Sequence, residues 1–335
     1  MKLVLLICIA TVATACTRSA LGACKIVQVA QLNVSNTNNR PVVDGKIEGR
    51  DVEILIDTGS SFSFVFQDAA TRLGLPLHGV SGLRVFGVGG EAQAYSTLVK
   101  QLQFGSFTIK DLPLVVIGKR REDRPQAPAL VLGEDFLSNY TTEFDLAHGV
   151  ILLLRPEGCR YDQLPYWAKT YSLSELEPMR ADDPQIGTEV LINGKRVSAH
   201  LDTGSRTSII SSQAAHRVGS AIGLDDQGTE KTVNGIAEKP VQSSLAEFDS
   251  LSIGDETIHN VKLRIANLFG RDTAMETGSH ISKPIEDLPD MLIGNDFFRS
   301  HRVMVLPQEH KLLFTYEGGP IFQVIEPDDR SEQGR

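Results

Sequence analysis

Two short segments carry the residues best suited to chemistry. Ile54–Ser61 reads ILIDTGSS and Ala199–Arg206 reads AHLDTGSR, and in each an apolar, strand-like run ends on an aspartate, Asp57 or Asp202. The glycine two residues later permits a tight turn that would hold the carboxylate at the tip of the strand. Two carboxylates about 3 Å apart share one proton, and such a pair can activate water and donate to a carbonyl oxygen.

A single DTG triplet is weak evidence, because at average composition it arises by chance in roughly one chain in ten and then marks a capped surface turn. Here the surroundings are repeated as well. GKIEGRDVEILIDTGS and VLINGKRVSAHLDTGS align without a gap, and both predict a hairpin with its turn at Glu48-Gly49 or Asn193-Gly194. The segments that follow, SFVFQDAATRLGL and SIISSQAAHRVGS, predict one short helix in each half. The repeat therefore predicts two related domains whose acids meet about an approximate two-fold axis.

These residues resemble the retropepsin-like branch of the aspartic peptidases, in which each half supplies a D-T/S-G loop and a later apolar-apolar-glycine motif. The matching segments are Asp57-Thr58-Gly59 with Val131-Leu132-Gly133, and Asp202-Thr203-Gly204 with Leu292-Ile293-Gly294. The resemblance covers about residues 40–315 without the linker. It implies a catalytic pair and its supports, with the two threonines bonded across the halves and the two serines beside the outer carboxylate oxygens: Asp57 and Asp202; Thr58, Gly59, Ser60, Thr203, Gly204 and Ser205.

The same resemblance implies an all-β fold of two tandem closed-barrel-like domains, each with a short helix, forming a bilobal molecule with pseudo-two-fold symmetry. The expected activity is an aspartic endopeptidase that hydrolyses an extended polypeptide and needs no cofactor or metal. Two alternatives stay open: a peptide- or protein-binding module without turnover, and a symmetric dimer in which each half pairs with another chain. The expected partner is a peptide or protein bound by a monomeric pseudodimer. A net charge of −9 argues against a nucleic-acid surface.

The family also has glycine-rich flaps that close over the substrate. The first candidate flap is VFGVGGEA, residues 85–92, with Gly87, Val88, Gly89 and Gly90 at its tip. The second is TVNGIAEK, residues 232–239, with Asn234, Gly235 and Ile236. Its single glycine suggests that the two flaps differ, and both segments are also compatible with ordinary hairpin turns.

The N-terminus has the pattern of a bacterial export signal: a lysine, an apolar run too short to span a bilayer, then small residues. We favour lipidation at Cys16, with signal residues 1–15, over the alternative at Cys24, with a signal ending at residue 23; cleavage after Ala15 by ordinary signal peptidase also fits. We therefore expect a periplasmic protein, anchored to a membrane if lipidated. Cys24 and Cys159 would then be free to pair, unless Cys24 carries the lipid.

The boundaries of the domains, the linker and the tail are predicted from the composition of the chain. We expect an N-terminal domain over residues 24–159, a linker over 160–184, a C-terminal domain over 185–320 and a flexible tail over 321–335. Trp167 and its tyrosine neighbours are interpreted as packing the linker onto a domain, with an exposed recognition patch as the alternative. His200 is interpreted as a structural side chain that faces away from the acids. Asp135 and Asp296, which follow the glycine motifs, are interpreted as structural, capping the helices that begin there.

Overall fold

The computed structural model describes residues 23–37, 39–118, 128–179, 184–219, 231–233, 241–268, 274–276, 282–284 and 288–322. Most of this chain is strand. The first half contains β1 (Lys25–Thr37), β2 (Arg40–Ile47), β3 (Arg50–Ile56), β4 (Phe64–Phe66), α1 (Gln67–Leu73), β5 (His78–Gly87), β6 (Gly90–Phe104), β7 (Phe107–Ile117), β8 (Leu130–Leu132), α2 (Glu134–Leu137), β9 (Thr141–Asp145) and β10 (Val150–Glu157).

The second half follows a 3-10 turn at Tyr161–Gln163. Its elements are β11 (Ser172–Glu175), β12 (Gly187–Ile192), β13 (Lys195–Leu201), β14 (Ile209–Ser211), α3 (Ser212–Val218), β15 (Lys231–Val233), β16 (Val241–Ile253), β17 (Glu256–Ala266), β18 (Ala274–Glu276), β19 (Ser282–Pro284), β20 (Met291–Ile293), α4 (Asn295–Phe298), β21 (His301–Leu306) and β22 (Lys311–Tyr316). It repeats the order of the first half with two additional short strands, β18 and β19, before the strand of its glycine motif. None of the helices in the described residues has the length and apolar character needed to cross a membrane.

Each half closes a six-stranded barrel. The first runs β2-β3-β8-β4-β7-β6 and closes where β6 pairs with β2; the second runs β12-β13-β20-β14-β17-β16 and closes where β16 pairs with β12. In both, the strand that ends at the acid pairs in parallel with the apolar strand of the glycine motif, β3 with β8 and β13 with β20. The predicted fold class is therefore confirmed.

The two hairpins that lead to the acids form where the sequence predicts them. β2 pairs with β3 and β12 with β13, and all four turn residues, Glu48-Gly49 and Asn193-Gly194, have positive φ. Two consecutive left-handed residues match the twist of the flanking strands, which explains the Asn-Gly and Glu-Gly pairs. The hairpins thereby set the register that places each acid at the end of its strand.

The sheet of the first barrel extends into a shared sheet that joins the two halves. Beyond the pairing of β2 with β1 it continues in the order β1-β10-β9-β21-β22-β11, and β9 of the first half pairs with β21 of the second, Phe144 opposite Val303. β11 comes from the predicted linker, and Phe322, in the predicted tail, is fully buried against Phe297. Both halves are therefore fixed to each other by backbone pairing as well as by side-chain packing.

The linker packs onto this shared sheet through a charged and aromatic cluster. The fully buried Glu143 carboxylate accepts hydrogen bonds from Arg302 Nε at 2.8 Å and from the Tyr166 hydroxyl at 2.9 Å. The Arg302 guanidinium lies 4.7 Å from the Trp167 ring, whose Nε1 donates to the Thr315 hydroxyl at 2.9 Å. Trp167 thus packs the linker onto the shared sheet, as the first interpretation of this residue predicted, and is not an exposed recognition patch.

A disulfide joins Cys24, just before β1, to Cys159, just after β10. β1 pairs with β10 from Lys25 opposite Glu157 onwards, so the bridge lies at the end of this antiparallel strand pair and links its two strands covalently. It closes a loop that contains nearly all of the first half of the chain.

Candidate active site

The two DTG loops meet at the centre of the molecule, within one chain. Thr58 Oγ1 donates to the Leu201 carbonyl at 2.8 Å and accepts from the Thr203 backbone N–H at 3.0 Å. Thr203 makes the mirror-image bonds, donating to the Ile56 carbonyl at 2.7 Å and accepting from the Thr58 N–H at 3.1 Å. Both threonines are buried, so these four bonds fix one loop against the other without competition from water.

The glycine of each loop leaves room for the acid of the other. A Cβ on Gly59 would lie 2.4 Å from Asp202 Cγ, and one on Gly204 would lie 2.4 Å from Asp57 Cγ, both far inside contact distance. Asp57 Oδ1 accepts from the Gly59 N–H, and Asp202 Oδ1 accepts from the Ser205 N–H, each at 2.9 Å. The carboxyls also hydrogen-bond each other, so the sequence-predicted acids form one pair.

Burial raises the pKa of both acids. For Asp57 the loss of water is opposed by hydrogen bonds from Gly59 and Asp202 and by the charge of Arg40. For Asp202 burial and then the charge of Asp57 raise the pKa well above its usual range. Because the two groups interact, they titrate as one unit that retains a shared proton over a wide pH range.

A family model described as aspartyl protease matches residues 43–136 and 188–297, together more than half of the chain. The chain belongs to the aspartyl protease family. Each matched stretch contains one DTG loop and one apolar-apolar-glycine motif, which agrees with two tandem domains of the retropepsin-like type. A search of curated proteins found no match.

The resemblance placed the loop serines of this aspartyl protease beside the outer carboxylate oxygens, and their hydroxyls donate to backbone carbonyls. The Ser60 hydroxyl donates to the Phe62 carbonyl at 2.8 Å, and the Ser205 hydroxyl donates to the Thr207 carbonyl at 2.9 Å. A serine side chain commonly bonds to the backbone two residues on and closes a turn. Their hydroxyls therefore shape the loop, and only the backbone of Ser205 reaches a carboxylate.

A second pair of serines, which the sequence analysis missed, locks each loop to its glycine motif. Ser208 donates from N and Oγ to Asp296 Oδ1, at 2.9 and 2.7 Å, and its Oγ accepts from the Gly294 N–H. Ser63 repeats these bonds with Asp135 in the first half. Neither aspartate is the N-cap residue of its helix, a position held by Gly133 in α2 and Gly294 in α4, but Asp296 Oδ1 also accepts from the Phe297 N–H in the first turn of α4 at 3.1 Å. Both serines lie six residues after the aspartate of a DTG loop, a spacing visible in the sequence.

His200 is closer to the acids than expected. It lies two residues before Asp202 and therefore on the same face of β13, while the buried Leu201 points into the barrel. Its Nδ1 lies 2.7 Å from Gln185 Oε1, and Gln185 Nε2 donates to the Gly59 carbonyl at 2.8 Å. Gln185, which was not predicted from the sequence, links the start of the second half to the DTG loop of the first.

The first half reaches the opposite loop in a different way. Asn39 donates to the Arg206 carbonyl, and its own backbone and side-chain oxygens accept from Asn295 at 2.9 Å and Arg299 at 2.6 Å. Arg40, the next residue, is the repeat equivalent of Gln185, since each lies 17 residues before its acid. One half thus supplies a cation near the acids and the other a neutral amide.

Glu134 is a buried carboxyl below the pair. Only 1% of the residue is exposed, and neither of its side-chain oxygens has a hydrogen-bond partner among the described residues. Burial, followed by the charges of Asp57 and Asp135, raises its pKa well above the usual range. An unpaired carboxylate is very costly inside a protein, so Glu134 is held in its neutral form. Its equivalent in the second half is Asn295.

The first predicted flap is a hairpin that reaches the second half. Gly87 pairs with Gly90 at the tip, and the Gly89 N–H donates to the Leu268 carbonyl at 3.2 Å. Positive φ at Gly89 and Gly90 explains why glycine is needed there. The second flap residues, Asn234, Gly235 and Ile236, and the candidate lipid site Cys16 lie outside the described residues. Within the described part of the chain no cluster of His, Cys, Asp or Glu could hold a metal ion.

Proposed function

We propose that the chain is an aspartic endopeptidase whose single active site is formed by Asp57 and Asp202. The observation that carries the proposal is the mutual arrangement of the acids. Each lies against the glycine of the opposite loop, and the two threonines hold the loops together from below. A capped surface turn would need neither the close approach nor the paired threonines.

The reaction follows from the shared proton. A water molecule between the carboxyls gives a proton to the ionised member as its oxygen attacks the carbonyl carbon of the peptide. The protonated member donates to the carbonyl oxygen, which gives a tetrahedral diol. Collapse of the diol breaks the C–N bond. The carboxyl that took the proton of water passes it to the leaving nitrogen, and the other carboxyl takes a proton from a diol hydroxyl, which restores the shared proton. Rigid loops keep both acids in place for these transfers.

The substrate is an extended polypeptide. In this proposal the peptide lies between the barrels and beneath the β5–β6 hairpin, whose tip donates a backbone hydrogen bond to the second half. A peptide in extended form can pair with the exposed backbone of such a hairpin as an added strand. This binding mode holds the main chain of the peptide, and the residues around its side chains determine which peptide sequences are preferred.

The test is cleavage of a diverse peptide library between pH 4 and pH 7.5, read by mass spectrometry. Wild type is compared with Asp57→Asn and Asp202→Asn. Asp51→Asn, the same change at an exposed position on β3, serves as the matched control. The proposal predicts that wild type and the control cut the same peptides while each catalytic variant loses at least about a thousandfold in rate. Peptide binding without cleavage in folded wild type would instead support the binding module.

We also propose that the protein is exported and anchored by a lipid on Cys16. Support comes from the disulfide, since such bridges persist in oxidising compartments, and from the engagement of Cys24 in it. Mass spectrometry of the mature N-terminus tests this proposal. A diacylglyceryl group on Cys16, absent from Cys16→Ala, is expected; a lipid on Cys24 or a plain N-terminus would contradict it.

A further inference from the structure

Three arginines from the two halves converge on Asn39, which lies between β1 and β2. Asn39 donates to the Arg206 carbonyl, and its side-chain oxygen accepts from Arg299 at 2.6 Å. Arg40 is the next residue, and its charge opposes the rise in the pKa of Asp57 that burial causes. These contacts bring the three arginines to one end of the acid pair, beside the DTG loop of the second half.

The equivalent place beside the DTG loop of the first half lacks these cations. The repeat gives a neutral residue at each of the three equivalent positions: Gln185 for Arg40, Ser61 for Arg206 and Ser138 for Arg299. The whole chain carries a net charge of −9, so a local excess of arginine does not follow from its composition. The backbone of the site repeats, but its positive charge is confined to one side.

The arginine cluster, defined as Arg40, Arg206 and Arg299, is accessible from solvent. Arg206 is exposed, and the other two are partly buried. Arg206 directly follows Ser205, whose backbone N–H binds Asp202. A peptide that reaches both acids therefore also passes this loop. A guanidinium forms paired hydrogen bonds with a carboxylate, and neighbouring positive charges add to the attraction.

We propose that the arginine cluster binds a carboxylate of the substrate. Arg206 makes the direct contact, and the other two arginines raise the positive potential around it. The enzyme then prefers peptides that carry an acidic group on one side of the scissile bond, the side next to the second DTG loop. The inference rests on the proposed function, since it assigns a substrate class to the same site. Both an acidic side chain and the C-terminus of a peptide present this carboxylate, and the test separates the two sources.

The first test moves one glutamate through the positions of a cleaved peptide, with glutamine as the neutral match at each position. We expect kcat/KM to be about fivefold higher with glutamate at a position on one side of the bond only. High salt should reduce this ratio, because ions screen exposed charges. A loss of rate on C-terminal amidation alone would identify the terminus as the source. Equal rates for all of these peptides would overturn the proposal.

The second test changes the direct contact. Arg206→Ser, which introduces the residue of the first half, is expected to remove the preference for the carboxylate, and Arg206→Glu is expected to favour lysine at the same position. Arg196→Ser, at an exposed arginine on β13, is the matched control and should keep the preference of wild type. An Arg206→Ser variant with the full preference would overturn the proposal.

A binding measurement separates this inference from the proposed function. The same peptides are titrated into Asp202→Asn, which retains Asp57 beside Arg40. Tighter binding of the peptide with the additional carboxylate is expected. If wild type cleaves nothing but this variant shows that difference, the proposed function fails and the acidic subsite stands. If wild type cleaves peptides but the variant binds charged and neutral peptides equally, the proposed function stands and this inference fails.

Discussion

At the residue scale, the site depends on buried polar groups that pair across the two halves. Thr58 and Thr203 each donate one and accept one hydrogen bond, and every partner lies on the opposite loop. Replacing one hydroxyl leaves a buried N–H and a buried carbonyl without a partner, which costs more than the bond itself contributes. The acids stay aligned because these bonds are shielded from water.

Replacing Thr58 by valine tests this alignment. The variant keeps the shape of threonine but leaves the Thr203 N–H and the Leu201 carbonyl unpaired, so we expect the free energy of unfolding to fall by about 1–3 kcal/mol and kcat to fall with it. Thr58→Ser retains the hydroxyl and is the control. Denaturant unfolding and steady-state kinetics measure both effects, and a valine variant equal to the serine variant would contradict the account.

Replacing Gln185 by alanine tests its role as a positioning residue. Gln185 holds the Gly59 carbonyl, and the Gly59 N–H lowers the pKa of Asp57. Without Gln185 the Gly59 backbone is held less firmly, so its N–H donates a weaker hydrogen bond to Asp57 and the pKa of Asp57 rises. The acid limb of the profile of kcat/KM against pH should therefore move to higher pH. Gln31→Ala, at an exposed glutamine on β1, is the control. An unmoved profile would mean that Gln185 only joins the two halves and does not influence the pKa of Asp57.

At the element scale, the hairpins, the helices and the glycine motifs occur once in each half. This repetition is why the turns and the paired aspartates could be predicted from the sequence. Glu48-Gly49 and Asn193-Gly194 identify the turns because left-handed residues are restricted to a few types, and the parallel DTG contexts identify the acids. The strand β11 and the contact of Gln185 with Gly59 could not be predicted. They depend on segments far apart in sequence, and short polar stretches such as residues 172–185 have no periodic pattern.

Removal of the disulfide tests how the first half is tied together. Cys24 and Cys159 are 135 residues apart, so the bridge removes much chain entropy from the unfolded state. We expect the double variant Cys24→Ser/Cys159→Ser to lose about 2–4 kcal/mol of unfolding free energy. A reducing agent should destabilise wild type and leave the variant unchanged. Equal stability of the two proteins without reductant would contradict a formed bridge.

At the scale of the whole molecule, two barrels are joined by a shared sheet, and the symmetry between them is broken at the acids. Arg40 and Gln185 occupy equivalent positions with different charge, and the equivalent pairs Glu134 and Asn295, and Leu55 and His200, differ in side-chain chemistry. These differences give the two sides of the aspartate pair different surroundings, although the sequence and the backbone repeat.

The pH dependence of stability follows from the buried acids. Burial raises the pKa of Asp296 from 3.8 to about 6 and that of Glu134 well above its usual range. Both groups bind protons more tightly when folded, so the stability they contribute is full below about pH 4 and is lost as the pH rises through the folded values. For Asp296 this loss is roughly 3 kcal/mol between pH 4 and pH 7.

Thermal unfolding between pH 4 and pH 8 measures this loss. Glu134→Gln and Asp296→Asn should each reduce the loss of stability with rising pH, whereas Asp249→Asn, at an exposed position, should leave it unchanged.

Glu256 has the opposite effect on the pH dependence of stability. The hydrogen bond from His301 lowers its pKa, so its contribution is lost as the pH falls. A stability that rises steadily from pH 4 to pH 7 would contradict the assignment of neutral buried acids.

The central claim is that the two halves of one chain share one catalytic pair. The most direct measurement is the kcat/KM of Asp57→Asn, of Asp202→Asn and of an equimolar mixture of the two, on a peptide that wild type cleaves. Because the loops interlock within the chain, we expect all three samples to be inactive. Half activity in each single variant, or activity restored on mixing, would show that the acids pair between chains and would contradict the account.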